Sequence, residues 1–124
     1  TTAVHAHTAL FGVYGMLGMG FILMCLRFYS NKAWDNKKLK RAFWFLNIGL
    51  VAMVLLSLLP IGIIQAYTSI TKGYSFARDA DLLYSPTIQT LKWLRMIGDI
   101  IFSIGIFYFC WFTIKESIQS FRQK

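Results

Sequence analysis

The stretch "HAHTALFGVYGMLGMGFILMCLRFY", residues 5–29, decides the fold. No residue between Thr8 and Leu26 is charged. About 20 residues of α-helix, rising 1.5 Å each, cross a hydrocarbon core of about 30 Å. This stretch therefore has the length and the apolarity of one membrane span. The chain's 2 histidines, His5 and His7, both stand at its mouth.

Two further runs share its character. Ala42–Thr71 carries no charge, and neither does Ile100–Ile114. Pro60 and Gly62 punctuate the first of these and predict an exit there. The other holds only 15 residues, about 22 Å of helix, and is too short alone. Extending it back to Trp93 gives the needed length. The expected spans are residues 4–29, 42–64 and 93–114, in a single membrane segment covering 1–124. Asn31 and the neighbouring lysines should end the first. Residues 67–90 should form a mixed loop with Gly73 and Pro86. Composition agrees, with 56% hydrophobic and 15% charged residues. The fold class is all-α integral membrane, with lipid as a partner. Cys25 and Cys110 lie in or near apolar runs and read as small buried hydrophobes rather than a disulfide.

The net charge of +8 is a topology signal. Arg27, Lys32, Lys37, Lys38, Lys40 and Arg41 fill the first connection against one acid, Asp35. Lys115, Arg122 and Lys124 follow the third run. By the positive-inside rule these segments are cytoplasmic, so the N-terminus and the second connection lie outside. Placed this way, the charge leaves no reason to invoke nucleic acid. The chain opens on Thr and has no basic n-region, so it is expected to be processed or part of something longer.

Residues two apart on an α-helix differ by about 200°, so His5 and His7 point to opposite sides. One ion would want a spacing of three or four. Opposed imidazoles suit a helix standing between two cofactors, and imidazole is a common axial ligand of haem iron. They equally suit two solvated interfacial residues. At 100° per residue, Ala9, Gly12 and Met16 fall on the His5 side, and Phe11, Tyr14 and Gly18 on the His7 side. Asn47 reads as an interhelical hydrogen-bonding amide. Arg95 and Asp99, four apart, share a face. They form either a simple ion pair near the outer interface or a contact to an anionic or quinone-like group.

The HxH pair opening a span, followed by "TALFGVYGMLG", resembles the tenth core helix of the haem–copper oxidase superfamily. More closely, it resembles the catalytic subunit of bacterial nitric oxide reductases, with the quinol-oxidising branch preferred. "FWFLNIGLVAMVLLSLLPIG", "YSFARDADLL" and "TLKWLRMIGDIIFSIG" extend the likeness along nearly all of the chain. The resemblance implies three helices from the C-terminal part of a twelve-helix bundle in a bacterial inner membrane. It implies His5 as axial ligand of a high-spin haem b3 and His7 as one axial ligand of a low-spin haem b. It places Arg95 and Asp99 near haem propionates or a quinol pocket, with Arg78 and Trp93 as weaker candidates. The implied reaction joins two NO into N2O and water, with electrons from quinol or cytochrome c.

The chain lacks part of what that family needs. No further histidine remains for a non-haem iron or for the second low-spin ligand, and its one glutamate, Glu116, falls at the cytoplasmic end. The non-haem iron is therefore expected on the remainder of the catalytic subunit, outside this chain. A different haem–copper-type terminal oxidase, a nitric oxide dismutase, or a cofactor-free three-span structural subunit are the alternatives.

Overall fold

The computed structural model describes residues 2–30 and 33–121, with side chains from His5 onward. Asn31, expected to end the first span, and the basic Lys32, Arg122 and Lys124 lie outside the described residues. Three helices are long and apolar enough to cross a membrane: His5–Tyr29, Asn36–Lys72 and Pro86–Phe121, with mean hydropathies of 2.0, 2.4 and 1.8. No strand occurs among the described residues. The chain is a multi-pass, all-α membrane protein.

The second and third helices outrun the expected spans, and the causes are local. Asp35 caps the second helix, its carboxylate accepting from the Lys37 backbone N–H at 3.2 Å. Desolvation pushes the Asp35 carboxyl up, but that hydrogen bond and the Lys38 ammonium outweigh it and hold it below the ordinary carboxylate value. The exit expected at Pro60 does not occur. Proline lacks a donor and crowds the carbonyl four residues back, here Leu56. The helix absorbs this in a π segment, Val54–Leu58, and continues to Lys72. It stops at Gly73, whose φ of 94° suits glycine. Pro86 then opens the third helix at a position where its missing N–H costs nothing. The loop expected over residues 67–90 thus shrinks to residues 73–85. It holds a 3₁₀ turn, Phe76–Arg78, and a single helical turn, Ala80–Leu83, capped by Asp79 at 2.7 Å.

The second and third helices pack antiparallel and very close. A Cβ added at Gly49 would lie 2.5 Å from the Phe102 backbone N, at Gly98 2.6 Å from that of Met53, and at Gly105 2.7 Å from that of Leu46. Only hydrogen fits at these three places. From Gly98 onward the buried positions of the third helix, Gly98, Phe102, Gly105, Phe109, Phe112 and Glu116, repeat at alternating spacings of four and three. That is the seam of a coiled-coil-like pair, with small residues setting the distance.

The first helix rests on this pair more openly. None of its most apolar stretch is buried, against 28% for each of the other two. Gly12 approaches Leu50, and Met16 and Met19 pack on the core of Leu46, Met53, Leu58 and Phe102. Phe11 meets Phe102 edge-on at 5.8 Å, and the Ser120 hydroxyl donates to the Tyr29 carbonyl at 3.1 Å. The first helix is therefore parallel to the third. Cys25 and Cys110, expected to be buried, are exposed free thiols because both lie off the packed seam.

Gly49→Ala should lower the stability of the purified complex by about 1–3 kcal/mol, the cost of forcing packed backbones apart. Gly18→Ala, where a Cβ meets nothing within 4 Å, should leave it unchanged or slightly raised. Thermal unfolding in detergent reads both. Equal effects at the two positions would dismiss the close-approach account.

Candidate functional site

His5 and His7 stand on the α-helical turn Thr2–His7, so the 200° separation applies to them. Their surroundings differ accordingly: His5 is exposed and His7 half-buried. The His7 ring lies 6.0 Å from that of Phe11, and Phe11 in turn meets Phe102. An aromatic path thus links His7 to the third helix.

Beyond His7 the helix changes register. Thr8–Gly15 is a π segment. Its hydrogen bonds close over five residues, so each residue turns by less than 100°. The side assignments made at 100° per residue therefore shift. Gly12 and Met16, expected on the exposed His5 side, turn inward against Leu50 and the core. Leu10, Val13, Tyr14 and Leu17 are left exposed, at 58–69%. The exposed His5 thus stands on a helix whose following surface is apolar and uncovered in this chain, while His7 lies toward Phe11 and the third helix.

Arg95 and Asp99 come together as an ion pair. The Arg95 Nε donates to Asp99 Oδ2 at 3.1 Å, with the two side chains 43% and 40% exposed. The Ser103 hydroxyl donates to the Asp99 backbone carbonyl at 2.8 Å. Asp99 and Ser103 border a shallow apolar hollow of about 590 Å³ along the third helix, with Met96, Ile100 and Phe107. Of the weaker candidates, Arg78 stacks over Tyr74 at 4.3 Å, and Trp93 is 68% exposed. Asn47, expected to bond across helices, instead donates to the Phe43 carbonyl of its own helix at 2.7 Å.

A haem asks for an imidazole donor and an apolar wall for a flat macrocycle. Both histidines offer the donor, and the exposed apolar residues beside them offer the wall. The residues fit the group. Among the described residues no three His, Cys, Asp or Glu side chains gather to hold a bare metal ion.

A family model described as Cytochrome C and Quinol oxidase polypeptide I matches residues 1–101. The chain belongs to this family. It is therefore part of the haem–copper oxidase superfamily, an oxidoreductase family whose subunit I binds haems. The match takes in the HAH motif, the two tightly packed glycines Gly49 and Gly98, and the Arg95–Asp99 pair. No curated protein matches the chain.

Two positions of structural weight were passed over in the sequence. Ser57 is buried at 1% exposure inside the π segment before Pro60, and its hydroxyl has no partner among the described residues. Glu116, expected only at the cytoplasmic end, lies in the packed seam at 9% exposure. The four–three spacing from Gly98 to Glu116 is the signal that finds the second.

The Arg95–Asp99 pair should show a coupling at or above that of water-exposed helical pairs, about 0.3–0.5 kcal/mol, in a double-mutant cycle of Arg95→Gln and Asp99→Asn. Chemical denaturation of the complex in detergent measures it. Strict additivity would show that the contact carries no energy.

Proposed function

We propose that this chain is the haem-ligating C-terminal part of a membrane nitric oxide reductase. The observation that carries the reading is the pair of imidazoles on opposite sides of one largely exposed apolar helix, in a haem-binding family. In this reading His5 would hold a high-spin haem b3, and His7 would supply one ligand of a low-spin haem b. Bound there, the haems supply electron transfer and the reduction of two NO, with two electrons and two protons, to N2O and water. The neutral imidazole ligates through one ring nitrogen and keeps its other N–H for a hydrogen bond that fixes the ring. Only one residue separates the two histidines, so one short, hydrogen-bonded backbone turn holds both ligands in a fixed mutual orientation.

The choice of nitric oxide over oxygen rests on the likeness of "TALFGVYGMLG" and the three further segments to nitric oxide reductases. In the same reading Arg95 and Asp99 lie toward haem propionates or a quinol pocket, with quinol preferred over cytochrome c as donor. The non-haem iron and the second low-spin ligand come from the remainder of the catalytic subunit. The basic first connection and C-terminus face the cytoplasm of a bacterial inner membrane. The family's oxidase description favours a second reading, an oxygen reductase. The metal beside the high-spin haem separates the two, copper for oxygen and iron for nitric oxide.

In the complete complex, His7→Ala should abolish the low-spin haem signal and leave a high-spin one, and His5→Ala should do the reverse. A pyridine haemochrome assay with EPR, plus iron and copper analysis, reads this. Unchanged haem spectra in both variants would end the ligand assignment. Copper in the wild type would move the reaction to oxygen.

A further inference from the structure

Two adjoining hollows meet where the second helix begins. The larger is a groove of about 730 Å³ between the first and second helices. Met16, Met19 and Leu23 wall it on one side, Phe43 on the other, and Leu46 and Phe109 form its floor. Methionine adapts its shape to an irregular guest. Gly20 keeps one wall open, since a Cβ there meets nothing within 4 Å. The polar residues of the lining, Asn36 and Lys40, sit at the end where the helix starts. From Asn36 to Leu46 is about 15 Å of helix, half of a hydrocarbon core of about 30 Å. The groove thus runs inward from the basic end, toward the hydrocarbon core.

The smaller hollow, about 360 Å³, is lined by Lys37, Lys40, Arg41, Trp44 and Phe45. Lys40 and Trp44 border both hollows. The nearest acid in sequence, Asp35, is engaged by the Lys37 backbone N–H and by the Lys38 ammonium at 3.5 Å. Lys37, Lys40 and Arg41 have no carboxylate partner among the described residues. An apolar slot entering the membrane therefore ends in three exposed cations beside a tryptophan.

We propose that this is a binding site for one anionic phospholipid of the leaflet on the basic side. One acyl chain lies in the groove, and the phosphate rests on Lys37, Lys40 and Arg41. Basic pockets between helices on the cytoplasmic side recognise anionic headgroups in this way. The site is independent of the haem reading.

The test uses the complete complex in nanodiscs of equal phosphatidylglycerol and phosphatidylcholine, followed by a detergent wash and mass-spectrometric counting of retained lipid. Wild type should retain phosphatidylglycerol in excess. The double variant Lys40→Gln and Arg41→Gln, at exposed positions, should reduce that excess by about fivefold or more. Gly20→Leu should reduce retention of both lipids by filling the slot. The haem spectrum checks that each variant assembles. Equal retention in all three proteins, or retention without headgroup preference, would overturn the proposal. So would a photo-crosslinker at position 20 that captures protein rather than lipid.

Discussion

The close approach of the second and third helices, at Gly49, Gly98 and Gly105, is the constraint on which the rest depends. Lipid tails are as apolar as leucine, so burial gives two membrane helices little reason to associate. What remains is dispersion between closely packed atoms, which grows as backbones near each other. Three glycines, each facing the partner's backbone, make that approach possible. Phe102, Phe109 and Phe112 then fill the space alongside. The pair is the rigid body of the chain, and the first helix is laid against it.

The three spans were legible because hydropathy and charge report directly on the membrane. Their ends were less so. Pro60 reads as a stop in a sequence, yet a helix with room to widen into a π segment passes through it. Asn47 shows a similar limit. In an apolar stretch its amide needs a partner, but a carbonyl four residues back serves as well as another helix. Cys25 and Cys110 sit in apolar runs, but hydropathy in a membrane protein does not distinguish a residue facing protein from one facing lipid. The glycines of the seam were visible only as spacing, and their role emerges once the facing residues are known.

For the histidines, helical geometry alone predicted opposed faces, because the turn that carries them is regular. The register beyond His7 was not legible, since nothing in "TALFGVYG" announces a π segment. That segment sends Gly12 and Met16 inward and leaves Leu10, Val13, Tyr14 and Leu17 to face outward. The roles of the two rings rest on family likeness, whereas their separation rests on geometry.

Register along the three helices ties the polar groups to one depth. Gly98 faces Met53, which lies 12 residues beyond Arg41, the last charge before the apolar run. Asp99 is therefore about 18 Å along the helix axis from the basic end. Phe11 meets Phe102, so His7, four residues earlier on a parallel helix, lies about level with Gly98 and Asp99. A core of about 30 Å measured from Arg41 encloses that level. An ionised pair at such a depth is costly unless its charges meet each other or another polar group. The Arg95–Asp99 contact satisfies that requirement, and both side chains keep about 40% of their surface open. His7 and the Arg95–Asp99 pair thus share one layer, past the midpoint of the core from its basic end, where any group held by the imidazoles would also lie.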